Sequence, residues 1–278
     1  MSAQVELTIG AEVRSRRAMP SIPWRSALVV VYPLAAAVVL FAAWQAAVVV
    51  FDIKQYILPK PTEVLSMMFN ERMYLIDQAK VTLQEIVLGF ALSVAVGLPL
   101  ALAITLWRPV ERSLYPLVIA SQAVPKVAIA PLFIVWFGFG MLPKVLVVTL
   151  IGFFPVLVNS ITGFRSIETE KIYLAQSMGA SKLQTFVKFR LPNALPSIFA
   201  GLKLAATMAV LGAVVAEFLG AEKGLGRVLT LANGNLDTPL LFAAVGYLSI
   251  IGLGVFGLMG LAERAAIPWH TSHRKRGR

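Results

Sequence analysis

The chain has 278 residues, 58 % of them hydrophobic and 14 % charged, with a mean hydropathy of +0.78. A soluble domain of this length needs far more polar surface, so the composition excludes one. The net charge of +11 would suggest a nucleic-acid partner in a soluble protein. In a membrane protein, basic residues gather in cytoplasmic loops against anionic headgroups, so membrane lipid, and no nucleic acid, is the expected partner.

The first 26 residues form a basic tail with Arg14, Arg16, Arg17 and Arg25. The apolar run that follows, 27–51, exceeds the roughly 7–15 residues of a signal-peptide core and predicts an uncleaved first span. Residues 52–80 form an outer loop. There Leu58-Pro59-Lys60-Pro61 breaks the chain, and Val64, Leu65 and Met68 at helical spacing predict a short helix on the outer interface.

The second span is expected over 81–107, closed by the polar turn Arg108-Pro109-Val110-Glu111-Arg112. The third covers about 114–137, interrupted by Pro125 and Pro131, and the fourth about 145–164. A charged cytoplasmic loop follows over 165–196. The fifth span is about 198–219 and the sixth about 240–261, so 81–264 makes the core domain, ahead of a basic tail at 265–278. The fold class is therefore an all-α integral membrane protein of about six transmembrane helices. With the N-terminus inside, 17 of the 25 lysines and arginines fall in cytoplasmic segments, which places both termini and the 165–196 loop in the cytoplasm (N-in, C-in).

Chemistry inside the spans is sparse. There is no cysteine, and His270 and His273 lie in the basic tail. No catalytic residue, metal site or cofactor is predicted. Gly179-Ala180-Ser181-Lys182 lacks the Gly-Lys-Ser/Thr end of a phosphate-binding loop, so ATP is not bound by that route. Charges near a bilayer interior are costly, which makes Lys126, beside Pro125, and Glu217, near the outer end of the fifth span, candidates to line a passage or its gate. The alternatives are a Lys126 that snorkels or caps freed carbonyls, and a Glu217 that reaches the outer interface. Gly201, Ala205, Ala209 and Ala213 form a small-residue ridge that lets another helix approach. Gly254, Gly257 and Gly260 suggest, more weakly, a second close contact.

The loop from Tyr173 to Pro192 reads as an amphipathic helix, a turn at Gly179, and a second helix stopped by Pro192. Such an element suits docking into a cleft on a soluble partner or lying on lipid.

In this loop Ala175, Gly179, Leu191 and Pro192 match the pattern Glu-Ala-Ala, three residues, Gly, nine residues, Ile-x-Leu-Pro. Tyr173, Leu174 and Phe189 stand where the glutamate, the first alanine and the isoleucine are expected. The chain thus resembles the membrane subunit of a binding-protein-dependent ATP-binding-cassette importer, and within that family it is most similar to the nitrate, sulfonate and taurine branch. Further matches are Leu58-Pro59-x-Pro61, Gly89-Phe90, Pro125-Lys126-x-Ala128-x-Ala130-Pro131-Leu132, Trp136-Phe137-Gly138-x-Gly140 and Phe154-Pro155. Ala194-Leu195-Pro196-x-Ile198-x-x-Gly201-Leu202, Glu217, Gly224-Leu225-Gly226, Glu263-Arg264 and Trp269 complete them.

The resemblance implies a type I importer permease in a bacterial inner membrane, with no catalysis of its own. Two cytoplasmic ATPase subunits would dock on a loop comprising Tyr173, Leu174, Ala175, Gly179, Ala180, Leu191 and Pro192. A second permease subunit, usually alike, would complete the passage, and an external solute-binding protein would deliver the solute. Associated solutes are nitrate, sulfonates and taurine, thiamine-precursor pyrimidines and riboflavin-like compounds. A gradient-driven transporter or channel is the alternative; it would show more ionisable residues within its spans and need no docking loop.

Overall fold

The computed structural model describes residues 24–268, with side chains from 31 onward, and every regular element among them is helical. The basic clusters at Arg14–Arg17 and Arg274–Arg278, both histidines and Trp269 lie outside the described residues. The chain divides into two compact units, 1–52 and 53–278. The first contains α1 (Trp24–Val50), an apolar helix that tolerates Pro33 and coincides with the expected first span.

The second unit begins with α2 (Pro61–Asn70), α3 (Arg72–Leu106) and α4 (Arg108–Ser121). A 3₁₀ turn (Lys126–Ile129) leads into α5 (Ala130–Phe137), followed by α6 (Met141–Arg165) and α7 (Thr169–Ser177). Then come α8 (Lys182–Thr185), a π turn (Phe186–Arg190), α9 (Leu191–Phe218), α10 (Leu225–Gly234) and α11 (Thr238–Ala266). Among the described residues, five helices are long and apolar enough to cross a membrane, and six spans result if the bent pair Arg108–Ser121 and Lys126–Phe137 counts as one.

The structure adds detail to the expected spans at four points. The second span begins at Arg72, so Glu85 lies well inside the helix rather than at its mouth. The third span bends by 90° across the break at 122–125, which closes on Pro125, a residue without the N–H a continuing helix needs; Pro131 only opens α5. The short helix α2 turns Met67 and Met68 onto the cluster of Leu75, Leu225, Val228, Ala243, Ala244 and Leu248, while Leu65 and Phe69 stay exposed on its other side. A helix absent from the sequence reading, α10, fills the connection between the fifth and sixth spans.

The core is a layer of three helices, with α6 between α3 and α9. In lipid there is little hydrophobic gain from helix association, so close van der Waals packing must hold such a layer. Glycines on both faces of α6 permit it. A Cβ at Gly201 would stand 2.6 Å from Asn159 Cβ and 2.8 Å from the Pro155 carbonyl oxygen. One at Gly163 would stand 2.8 Å from the Ala194 oxygen, and one at Gly152 2.8 Å from Ser93 Oγ. The predicted ridge is buried along its whole length: Ala205, Ala209 and Ala213 have no exposure. Gly254, Gly257 and Gly260, by contrast, face open space, so no close contact forms there within the chain.

Candidate coupling loop and buried polar cluster

The cytoplasmic loop is built from two helix ends. α7 closes on Gly179, whose φ of 83° is left-handed and strains any residue with a Cβ. The Gly179 amide donates to the Gln176 carbonyl at 2.9 Å and the Ala180 amide to the Ala175 carbonyl at 3.0 Å, the paired bonds of a Schellman stop. Two residues on, Ser181 Oγ accepts from the Gln184 amide while Gln184 Oε1 accepts from the Ser181 amide, a capping box that starts α8. Gly179-Ala180-Ser181 is thus a tight helix–turn–helix with no cradle of amides left for phosphate.

Pro192 does not stop the second helix. Lacking an N–H and crowding the carbonyl four residues back, it is absorbed by the π turn, where the Leu191 amide reaches the Phe186 carbonyl. Helix therefore runs on from Lys182 to Phe218 as one apolar segment, and Leu191 and Pro192 belong to the foot of the fifth span. The loop is tied back to α6 by Asn193 Nδ2 donating to Ser166 Oγ at 2.8 Å and by the Phe164 and Phe186 rings, 5.9 Å apart. Ala175 is buried against this frame, whereas Tyr173, Leu174, Met178 and Leu183 are 62–80 % exposed.

At the other end of the fifth span, Glu217 is 1 % exposed; it points inward and does not reach the outer surface. Its Oε1 accepts from the Thr82 hydroxyl at 2.7 Å, and its Oε2 accepts from the Gly226 amide. Thr82 Oγ1 in turn accepts from the Leu225 amide at 2.8 Å, and Gln78 Oε1 accepts from the Gly224 amide at 2.8 Å. The amides of Gly224, Leu225 and Gly226 at the start of α10, orphaned in any isolated helix, are thus satisfied by side chains from α3 and α9. The carboxylate also faces the positive end of the α10 dipole. A Cβ at Gly224 would collide with the Glu217 carboxyl group, and one at Gly226 would lie 2.7 Å from Oε2. That is why Gly224-Leu225-Gly226 follows the acid.

An ion pair reinforces the cluster. Lys144 Nζ donates to Glu85 Oε1 at 2.8 Å and to the Lys223 carbonyl at 3.4 Å, and Glu85 has no exposure. Sequence reasoning missed Gln78, Thr82, Glu85 and Lys144. The one signal was an acid, Glu85, and a lysine, Lys144, at the assumed mouths of neighbouring spans, each of which passes for an interfacial residue by itself.

Lys126 sits in the break of the third span. Its ammonium lies 4.6 Å from the centre of the Phe154 ring and 3.4 Å from the Gln122 carbonyl oxygen, so it does cap a carbonyl freed by the break, weakly. The loop, the cluster and Lys126 are separate: the structure does not bring Lys126 and Glu217 together in one site.

An all-α bundle with a helix–turn–helix loop at one end, a helix-capping acid at the other and a broken span between has the architecture of a multi-pass membrane protein. The profile of the family described as "Binding-protein-dependent transport system inner membrane component" matches residues 89–267, and the chain belongs to that family. It is a multi-pass inner-membrane permease component of an ATP-binding-cassette importer. The formylaminopyrimidine transport permease protein ThiX of Halalkalibacterium halodurans is 37 % identical over 216 residues, 77 % of this chain and 86 % of the relative. The riboflavin transport system permease protein RibX of Chloroflexus aurantiacus is 38 % identical over 235 residues, 84 % of this chain and 88 % of the relative. The taurine transport system permease protein TauC of Escherichia coli is 30 % identical over 276 residues, 96 % and 98 % of the two chains. Among solved structures, a chain of the MetNI methionine ABC transporter superposes with a TM-score of 0.59 at 19 % identity, over 70 % of this chain and 97 % of that one; this likeness concerns the fold.

Proposed function

We propose that two copies of this chain form the passage of the importer, with two cytoplasmic ATPase subunits docked on the 173–192 loops and an external binding protein delivering the solute. ATP binding closes the ATPase pair, the docked loops approach each other, and the spans tilt to open outward, an alternating access that needs rigid, tightly packed helices. Hydrolysis takes place on the ATPase partner and not on this chain. The observation that carries the reading is the surface of the loop: Tyr173, Leu174, Met178 and Leu183 expose apolar area at the foot of a continuous span, where an apolar patch marks a protein contact.

The solute is a small compound, either a nitrate-, sulfonate- or taurine-like anion or a thiamine-precursor or riboflavin-like ring compound; relatives carrying names of both kinds support this range. We assign Lys126 to the wall of the passage. Phe154, under its ammonium, lies near the midpoint of α6, where an unneutralised charge is costly unless it meets water. Among the described residues, the carboxylates within spanning helices are all engaged: Asp77 by Lys80, Glu85 by Lys144, Glu111 by Arg165, Glu217 by Thr82 and Gly226, and Glu263 by Lys203. A second copy therefore brings Lys126 no free acid from these helices, which supports an aqueous path or the solute facing it. Glu217, by its burial, is better read as a structural part of the gate than as a solute contact.

The test is purification of the tagged chain from native membranes in mild detergent. A stoichiometric ATPase subunit is the expected companion, and a co-purifying binding protein would lead to the solute. A chain that purified alone and moved solute in liposomes without ATP would overturn the reading.

A further inference from the structure

Two glycines, Gly220 and Gly224, turn the connection between α9 and α10, both with φ near +120° (122° and 121°), a region that glycine adopts at little cost. Leu225 and Val228 seat α10 on α3 and α11 through the cluster of Leu75, Ala243, Ala244 and Leu248. Glu217 ties α10 to the fifth span, because it sits on α9 and holds the Gly226 amide of α10 directly and the Leu225 amide through Thr82.

The same acid stands one residue from the end of the helical run Lys182–Phe218, whose other end is the docking loop. At 1.5 Å per residue that run is a rod of about 55 Å. Its foot carries Ser181 and Gly179, and its head carries the clamp. α10 buries Leu225, Val228 and Ala232 and leaves Thr230, Leu231 and Asn233 uncovered on its other side.

We propose that Glu217 is a positioning residue that makes α10 travel with the fifth span, so that displacement of the docking loop by the ATPases is delivered to α10 as movement of an outer gate. The inference rests on the importer reading above. Without the clamp, the fifth span would still answer to ATP, but α10 would stay with α11, against which Leu225 and Val228 pack, and no longer follow. Glu85 and Lys144 act in the same block: they hold α3 to α6 and, through the Lys223 carbonyl, steady the connection itself.

Because the chain has no cysteine, single reporters can be placed without background. A spin label at Thr230→Cys reads α10, and one at Leu211→Cys, exposed on α9, reads the fifth span. Each is measured in the complete complex with its ATPase subunits in nanodiscs, with and without ATP. Both labels should change mobility with ATP in the otherwise native chain. In Glu217→Gln the Leu211 response should persist and the Thr230 response should vanish. Persistence of both responses in Glu217→Gln would overturn the inference and leave the importer reading intact. If neither label responds in the otherwise native complex, the importer reading falls and the inference with it. Should Glu217→Gln fail to assemble, Thr82→Val removes the hydroxyl relay at nearly constant shape; a Thr230 response retained in that variant would overturn the proposal, and its loss would uphold it.

Discussion

The three-helix layer of α3, α6 and α9 and the bent third span are both apolar, yet they are organised differently. In the layer, glycine and alanine stand at the closest contacts among larger side chains such as Ile86, Val148 and Leu157, and the buried Glu85 and Glu217 both have partners. In the bent span, α4 buries no residue and α5 only Ala130, while Val135 and Trp136 are 78 % and 63 % exposed. Hydropathy reads the two alike. The difference lies in which residues have small neighbours on the same face, and it shows that the layer is complete within one chain while the bent span waits for lipid, water or a second subunit.

That contrast can be broken at several points. The largest effect is expected at the layer: Gly201→Leu drives a side chain into Asn159 and the Pro155 carbonyl and should cost about 3 kcal/mol or more by overpacking. Thermal unfolding of the detergent-purified chain would measure it, and an unchanged midpoint would mean that the layer can relax. Gly179→Asp comes next, because a left-handed turn between two docking helices now carries a Cβ and a charge. Association with the ATPase should fall below detection while membrane insertion stays normal; undiminished association would place the docking surface elsewhere.

On the bent span the expectations are milder. Lys126→Cys should react with a water-soluble thiol reagent in at least one nucleotide state, since the residue is assigned to an aqueous wall. Complete protection in every state would move it into a protein or lipid contact. The smallest effect belongs to Val135→Ala, which should shift the stability of the isolated chain by less than about 0.5 kcal/mol, as exposed positions do. A larger shift in the assembled complex than in the isolated chain would identify α5 as an interface.

Much of this was legible in the residues. The spans, the loop, the small-residue ridge and the turn at Gly179 follow from hydropathy, lysine and arginine placement, and the intolerance of a left-handed turn for side chains. Pro192 was misread because a proline in sequence announces a lost hydrogen bond but not how the helix absorbs it; here a π turn does so. The Pro125 break was visible, though not that it turns the chain through 90°.

The amino-acid sequence by itself determined that the chain crosses a membrane about six times, because hydrocarbon demands long apolar helices whatever their neighbours are. It also marked the face of the fifth span that another helix can approach, because small residues permit close contact. The pairing of Glu217 with Thr82 and the Gly226 amide, and of Glu85 with Lys144, was decided by the tertiary structure alone. Those partners lie on different helices, and two of the pairs span 135 and 59 residues. A buried charge needs a partner in space, and no pattern of local spacing states which one it will find.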